Sequence, residues 1–95
     1  MDNNFSNIQN FINKVVNQDK FKKKFIELDI FEKFEEIIGK SLTIYIKEKR
    51  FMEGILTVKL TSSVLRNELL FNKNNIIDRI NKDLKKEIVK DILLR

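Results

Sequence analysis

Lysine and arginine are the side chains through which this chain can do chemistry, and the chemistry open to them is neutralisation of a polyanion. Of the 19 basic and 14 acidic residues that set a net charge of +5, residues 1–40 hold seven of each sign and residues 41–95 hold twelve basic against seven acidic. The whole excess lies in the second part. Cations that bind phosphates release condensed counterions, so a basic half points to nucleic acid. A general bias toward Lys, Asn and Ile, of the kind nucleotide composition produces, gives the same excess with no ligand. Within the basic part, Lys47, Lys49, Arg50 and Lys59 fall on one short stretch, and Arg66 and Lys73 follow it. These six are the candidate nucleic-acid-binding residues. Contacts of this kind carry little base information, so binding through them should depend weakly on sequence and steeply on salt.

Other chemistries lack their residues. Histidine and cysteine are both absent, which removes disulfides, thiol nucleophiles, the usual zinc and iron ligands and the side chain suited to proton transfer near neutrality. No cofactor and no metal are expected. The two glycines, Gly39 and Gly54, stand fifteen apart, and a phosphate-cradling loop needs several at close spacing. Glu35 and Glu36 are adjacent, so on a helix they point in different directions and form no acid–base pair. An enzyme is not expected, nor is a small-molecule substrate. Apolar runs such as Ile92-Leu93-Leu94 fall far short of the roughly 20 residues that cross a bilayer. The start Met1-Asp2-Asn3-Asn4 lacks the features of a secretory signal, so a cytoplasmic protein without membrane contact is the expectation.

The elements that must position these cations follow from periodicity. Phe5, Ile8, Phe11, Ile12, Val15 and Val16 are spaced by three and four, an apolar stripe on a helix over about residues 5–17. Phe21, Phe25 and Leu28 repeat the pattern. Asp29 with Glu32 has the spacing of a capping box, which predicts a break near Asp29 and a new helix through Ile30, Phe34, Ile37 and Ile38 to Gly39. Leu42 to Tyr45 is expected to add a turn. The period then changes to two: Leu56, Val58 and Leu60 share a face, and Glu53-Gly54 separates this run from Lys47–Met52 as a hairpin with a two-residue turn. That register pairs Phe51 with Leu56 and Glu48 with Lys59, and it points Lys49 inward beside Val58, from where its ammonium must snorkel to the sheet edge unless the register differs. Thr61, Ser62 and Ser63 are N-cap candidates for one long helix reaching about Lys85, with Leu65, Leu69, Ile76 and Ile80 on its stripe. Glu87 to Arg95 reads as a third strand. The order is that of a two-layer α+β domain, with residues 1–18 as an N-terminal amphipathic helix and residues 19–95 as the domain proper. Phe34, Leu56, Val58, Leu69 and Ile80 are the expected centre of its core.

Five segments in this order, Phe34-Glu35-Glu36-Ile37-Ile38-Gly39, Gly54-Ile55-Leu56-Thr57-Val58, Ser62-Ser63-Val64-Leu65-Arg66-Asn67-Glu68-Leu69, Ile80-Asn81 and Val89-Lys90-Asp91-Ile92, resemble the DciA family over about residues 20–95. Phe34 stands where the family commonly has tryptophan, and Lys49 where it commonly has an apolar strand residue. The resemblance implies a KH-like domain that binds DNA, single- or double-stranded, and the replicative DNA helicase, and that helps load or recruit the helicase without hydrolysing ATP.

Two rival readings use the same residues. One is a KH-like RNA-binding or ribosome-assembly protein, although a KH domain grips phosphates with a Gly-x-x-Gly loop that two distant glycines cannot supply. The other is a structural adaptor that happens to be basic. Phe5, Ile8, Phe11 and Ile12 are the candidate partner-binding residues, as a helix offered to a groove, with packing on the domain as the alternative.

Overall fold

The computed structural model of the chain describes residues 18–95; the predicted helix over 5–17, with Phe5, Ile8, Phe11 and Ile12, lies outside the described residues. The elements run α1 (Gln18–Ile38), a 3-10 segment (Lys40–Tyr45), β1 (Ile46–Met52), β2 (Ile55–Leu60), α2 (Ser63–Phe71), α3 (Lys73–Leu84) and β3 (Asp91–Leu94).

α1 passes straight through Asp29, where a break was predicted. Ile26, Ile30, Phe34 and Ile37 form an inward stripe that crosses this point, with Ile30 and Phe34 fully buried. Asp29 is exposed on the other side, and no Gly or Pro interrupts the turn. Continuous burial therefore outweighs one local capping signal. Gly39 does end the helix, at φ +104°, and its amide donates to the Glu35 carbonyl at 3.0 Å.

The hairpin forms as the alternation requires, with Phe51 opposite Leu56, Lys49 opposite Val58 and Glu48 opposite Lys59, and a register shift between Ile46 and Glu48. Glu53 and Gly54 both take positive φ, +50° and +84°, the combination of a type I′ turn whose twist suits paired strands. Glycine at 54 answers a second demand: a Cβ there would lie 2.9 Å from Cδ of Lys90. Its carbonyl also accepts from the Lys90 amide at 2.7 Å. The turn is thus pressed against the chain that leads into β3.

Two further differences from the sequence expectation concern the second half. The single helix expected up to Lys85 is two, parted at Asn72, whose side-chain Nδ2 donates to the Glu68 carbonyl at 3.0 Å. Its own carbonyl accepts from the Ile76 amide at 2.9 Å. Asparagine competes for backbone partners in this way, and Asn-Lys-Asn-Asn has little helix propensity to resist it. The third strand is Asp91–Leu94 only. Val89 and Ile92 are both buried, three positions apart, which strict alternation does not allow. Asn81 explains this: its Nδ2 donates to the Val89 carbonyl, and its Oδ1 accepts from the amides of Ile88 and Val89 at 3.1 and 2.9 Å. The clamp turns Val89 into the core before the strand begins.

The sheet order is β1-β2-β3, antiparallel then parallel, and the parallel step is bridged by α2 and α3. Its helix-covered face carries Phe51, Leu56 and Ile92 in one row and Lys49, Val58 and Leu94 in the next. Leu56, Val58 and Ile92 are buried in the core with Phe34, Leu69 and Ile80, and Phe51 and Leu94 pack against it, so the expected centre is the observed one. The fold is mixed α+β, helices followed by β-β-α-β, with the last helical stretch in two pieces.

Candidate nucleic-acid interface

Strand alternation places every second side chain of the sheet on the face that no helix among the described residues covers. Register then fixes the rows. Glu48 lies beside Lys59, Arg50 beside Thr57 and Leu93, and Met52 beside Ile55. Arg95 joins the first row, because its amide donates to the Val58 carbonyl and its carbonyl accepts from the Leu60 amide. These residues line one shallow depression. Met52, Ile55 and Leu93 give it an exposed apolar strip, and Arg50, Lys59 and Arg95 a basic margin.

The six predicted cations divide. Lys47, Arg50 and Lys59 are exposed on the hairpin. Lys49 is not with them. It points to the helix-covered side, where its ammonium pairs with the Glu35 carboxylate and lies 5.2 Å from the centre of the Phe31 ring. The inward lysine seen in the sequence is therefore met by an acid from α1 and an aromatic face, not carried to the sheet edge. Glu35 is also 3.7 Å from Nζ of Lys40. Lys73 is drawn to Asp91, with Nζ 3.1 Å from Oδ1. That contact, together with the Ile92 amide at 2.8 Å, holds the Asp91 carboxyl below its ordinary pKa.

Arg66 sits one turn into α2, half-buried, beyond the strand end that carries Lys59. The helix start there is already occupied: the Ser62 hydroxyl accepts from the Leu65 amide at 3.1 Å, and the Ser62 carbonyl accepts from the Arg66 amide. Fewer free amides remain for an anion than the bare helix start suggests. Glu48, although opposite Lys59, bonds along its own strand to Nε of Arg50 at 2.7 Å. Lys47, Lys59, Arg66 and Arg95 form no ion pair among the described residues. Arg95 is the cation that sequence reasoning missed. Its signal was its parity with Leu93, which puts it on the open face once the last strand is paired with β2.

The family pattern described as Dna[CI] antecedent, DciA, matches residues 7–94. The chain belongs to the DciA family. No curated protein and no solved structure matches the chain. The DciA match begins at residue 7, before the stretch of about residues 20–95 that carries the resemblance. DciA is a replication-related family of the helicase-loading type, not a known catalytic one. No helix among the described residues is long and apolar enough to cross a membrane, and no group of three or more potential metal ligands occurs among them.

Proposed function

We propose that this DciA-family chain helps load or recruit the replicative DNA helicase by protein contact, as a cytoplasmic, non-catalytic factor that holds DNA through the basic margin of its open sheet face. The observation that carries the reading is the family match over residues 7–94. Its geometric support is the adjacency of Lys59 and Arg95 on neighbouring strands, with Lys47 and Arg50 on β1 and Arg66 past the strand end. Arg50, Lys59 and Arg95 line one depression of the open face, and Lys59 and Arg95 stand at the spacing of neighbouring strands, about 5 Å. Lys49 faces the helix-covered side and Lys73 is drawn to Asp91, so neither is assigned to DNA; Arg50 keeps its place because it is exposed beside Lys59 and Arg95, although Glu48 pairs with it.

Two measurements test the proposal together. A pull-down from the native cytoplasm, scored for helicase against ribosome, should return helicase; ribosomal proteins alone would favour the RNA reading. Lys47→Glu, Lys59→Glu and Arg66→Glu combined should weaken binding to single- and double-stranded DNA. The slope of log affinity against log salt should become shallower, by about 0.7 to 0.9 for each phosphate that is no longer neutralised. Unchanged affinity across the salt series would return the basic excess to composition.

A further inference from the structure

Three apolar side chains on the open sheet face are left to solvent: Met52, Ile55 and Leu93 are 72%, 37% and 39% exposed. Register places them together. Met52 is opposite Ile55 on the antiparallel pair, and Leu93 stands one row along on β3, beside Thr57. Opposed side chains on neighbouring strands are about 5 Å apart and diagonal ones about 7–8 Å, so the three make one strip running obliquely across the sheet. They line a single depression, which the described residues leave open. Single exposed hydrophobics are ordinary, but contiguous ones rimmed by charge mark a contact site.

Charge is distributed unevenly about the strip. Arg50 shares the row of Leu93, and Lys59 and Arg95 share the next row away from the hairpin turn with Glu48, which pairs with Arg50. At the turn end, Glu53 lines the depression and Asp91 lies in register with Ile55, its charge partly offset by Lys73. The strip therefore has a cationic side and an acidic side. A duplex suits this pattern poorly, since it carries phosphates along both outer edges and keeps the faces of its bases stacked within. A single strand matches it: phosphates form one anionic edge, and unpaired bases offer their flat faces.

Resting on the DNA reading above, we propose that Met52, Ile55 and Leu93 form a platform for unpaired bases, with the phosphates along Arg50, Lys59 and Arg95 and the bases directed toward the hairpin turn. Every base has an apolar face, so such a platform selects unpaired over paired nucleic acid without selecting sequence. Two contributions then separate. The cations act on single and double strands alike and set the salt dependence, because they release counterions from either. The strip acts on single strands alone, and apolar contact carries no counterion release.

The test uses the full chain and three DNA probes of equal length: a single strand, the same strand with abasic sites in place of its bases, and the duplex. At one salt concentration the wild type should bind the ordinary single strand about tenfold tighter than the abasic strand, which keeps the phosphates and lacks the bases. Met52→Thr, Ile55→Thr and Leu93→Thr combined retain side chains suited to strands. This variant should bind the single strand as weakly as the wild type binds the abasic one, with duplex affinity and the slope of log affinity against log salt unchanged. Leu93→Phe enlarges the platform and should tighten single-strand binding alone, whereas Lys59→Glu should weaken binding to all three probes. Neither the abasic comparison nor Leu93→Phe depends on the triple variant folding. Equal wild-type affinity for the ordinary and abasic strands would overturn the inference and leave the DNA reading standing; no binding to any probe would overturn both. A triple variant that keeps its single-strand affinity but loses the helicase in a pull-down would overturn it in favour of a protein contact.

Discussion

The two faces of the sheet accept charge on different terms. On the covered face the only cation among the strand residues is Lys49. It is held by a carboxylate from α1 and an aromatic ring, because an ammonium beside Val58 and Leu94 cannot remain without a partner. On the open face Arg50, Lys59 and Arg95 surround Met52, Ile55 and Leu93, and water satisfies whatever Glu48 does not. The same residue type is therefore a packing component on one face and a candidate ligand contact on the other. Face, and not charge, decides which lysines can meet a phosphate.

Val58→Asp would erase the difference most violently. Val58 is 0% exposed, and an unpaired carboxylate there costs several kcal/mol, comparable to the stability of a small domain. Circular dichroism should show no cooperative melt; a transition at the wild-type temperature would remove Val58 from the core. On the other face Thr57→Asp, at the neighbouring position, should cost about 1 kcal/mol or less.

Cutting the covered pair has a middling effect and a sign that depends on which partner is removed. Glu35→Ala leaves the Lys49 ammonium facing Phe31 and Val58, and since the side chain retains 24% exposure the cost should be about 1–2 kcal/mol, below the full penalty for a buried pair. Lys49→Met fits the same space without charge and should be neutral or stabilising. Both belong in one double-mutant cycle read by denaturant unfolding. DNA affinity should not change with Lys49→Met, whereas Lys59→Glu should lower it at nearly constant stability. If Lys49→Met weakens DNA binding as much as Lys59→Glu does, the division of the sheet into a structural and a binding face is wrong.

How much of this the sequence discloses depends on the range of the cause. The hairpin was legible, including its register, because period-two alternation and a Glu-Gly turn are local; so was the core, since Phe34, Leu56, Val58, Leu69 and Ile80 all lie on periodic stripes. The break at Asp29 was a local signal overruled by a distant one, the burial of Ile30 and Phe34. The break at Asn72 and the late start of β3 depend on single asparagine side chains that reach four and seven or eight residues away, and no periodicity records that. For the candidate site, Lys47, Arg50 and Lys59 follow from alternation, whereas Arg95 needed the parallel pairing to be known. The register showed that Lys49 points inward; that its partner is Glu35 depended on where α1 crosses the sheet.

The mildest probe of the comparison is Asp91, at the start of β3. Its carboxyl is held below the ordinary range, first by the Lys73 ammonium and then by the Ile92 amide. A carboxyl with a depressed folded-state pKa binds its proton more readily in the unfolded chain, so it adds stability at pH values above the unfolded pKa, about 3.9. That contribution is lost as pH falls through the lower, folded value. With Asp91 45% exposed, solvent screening keeps the pair below about 1 kcal/mol. Asp91→Asn should therefore lower the melting temperature slightly at pH 6 to 7. Wild type and variant should converge as the pH falls from about 4, the unfolded value, through the lower folded value, below which Asp91 is protonated in both states. Salt should narrow the gap at neutral pH, since one partner is solvated. A gap that persists undiminished into acid would show that the Asp91 charge, and with it the Lys73 pair, contributes nothing measurable. Lys73 would then be released to the set of cations available to DNA.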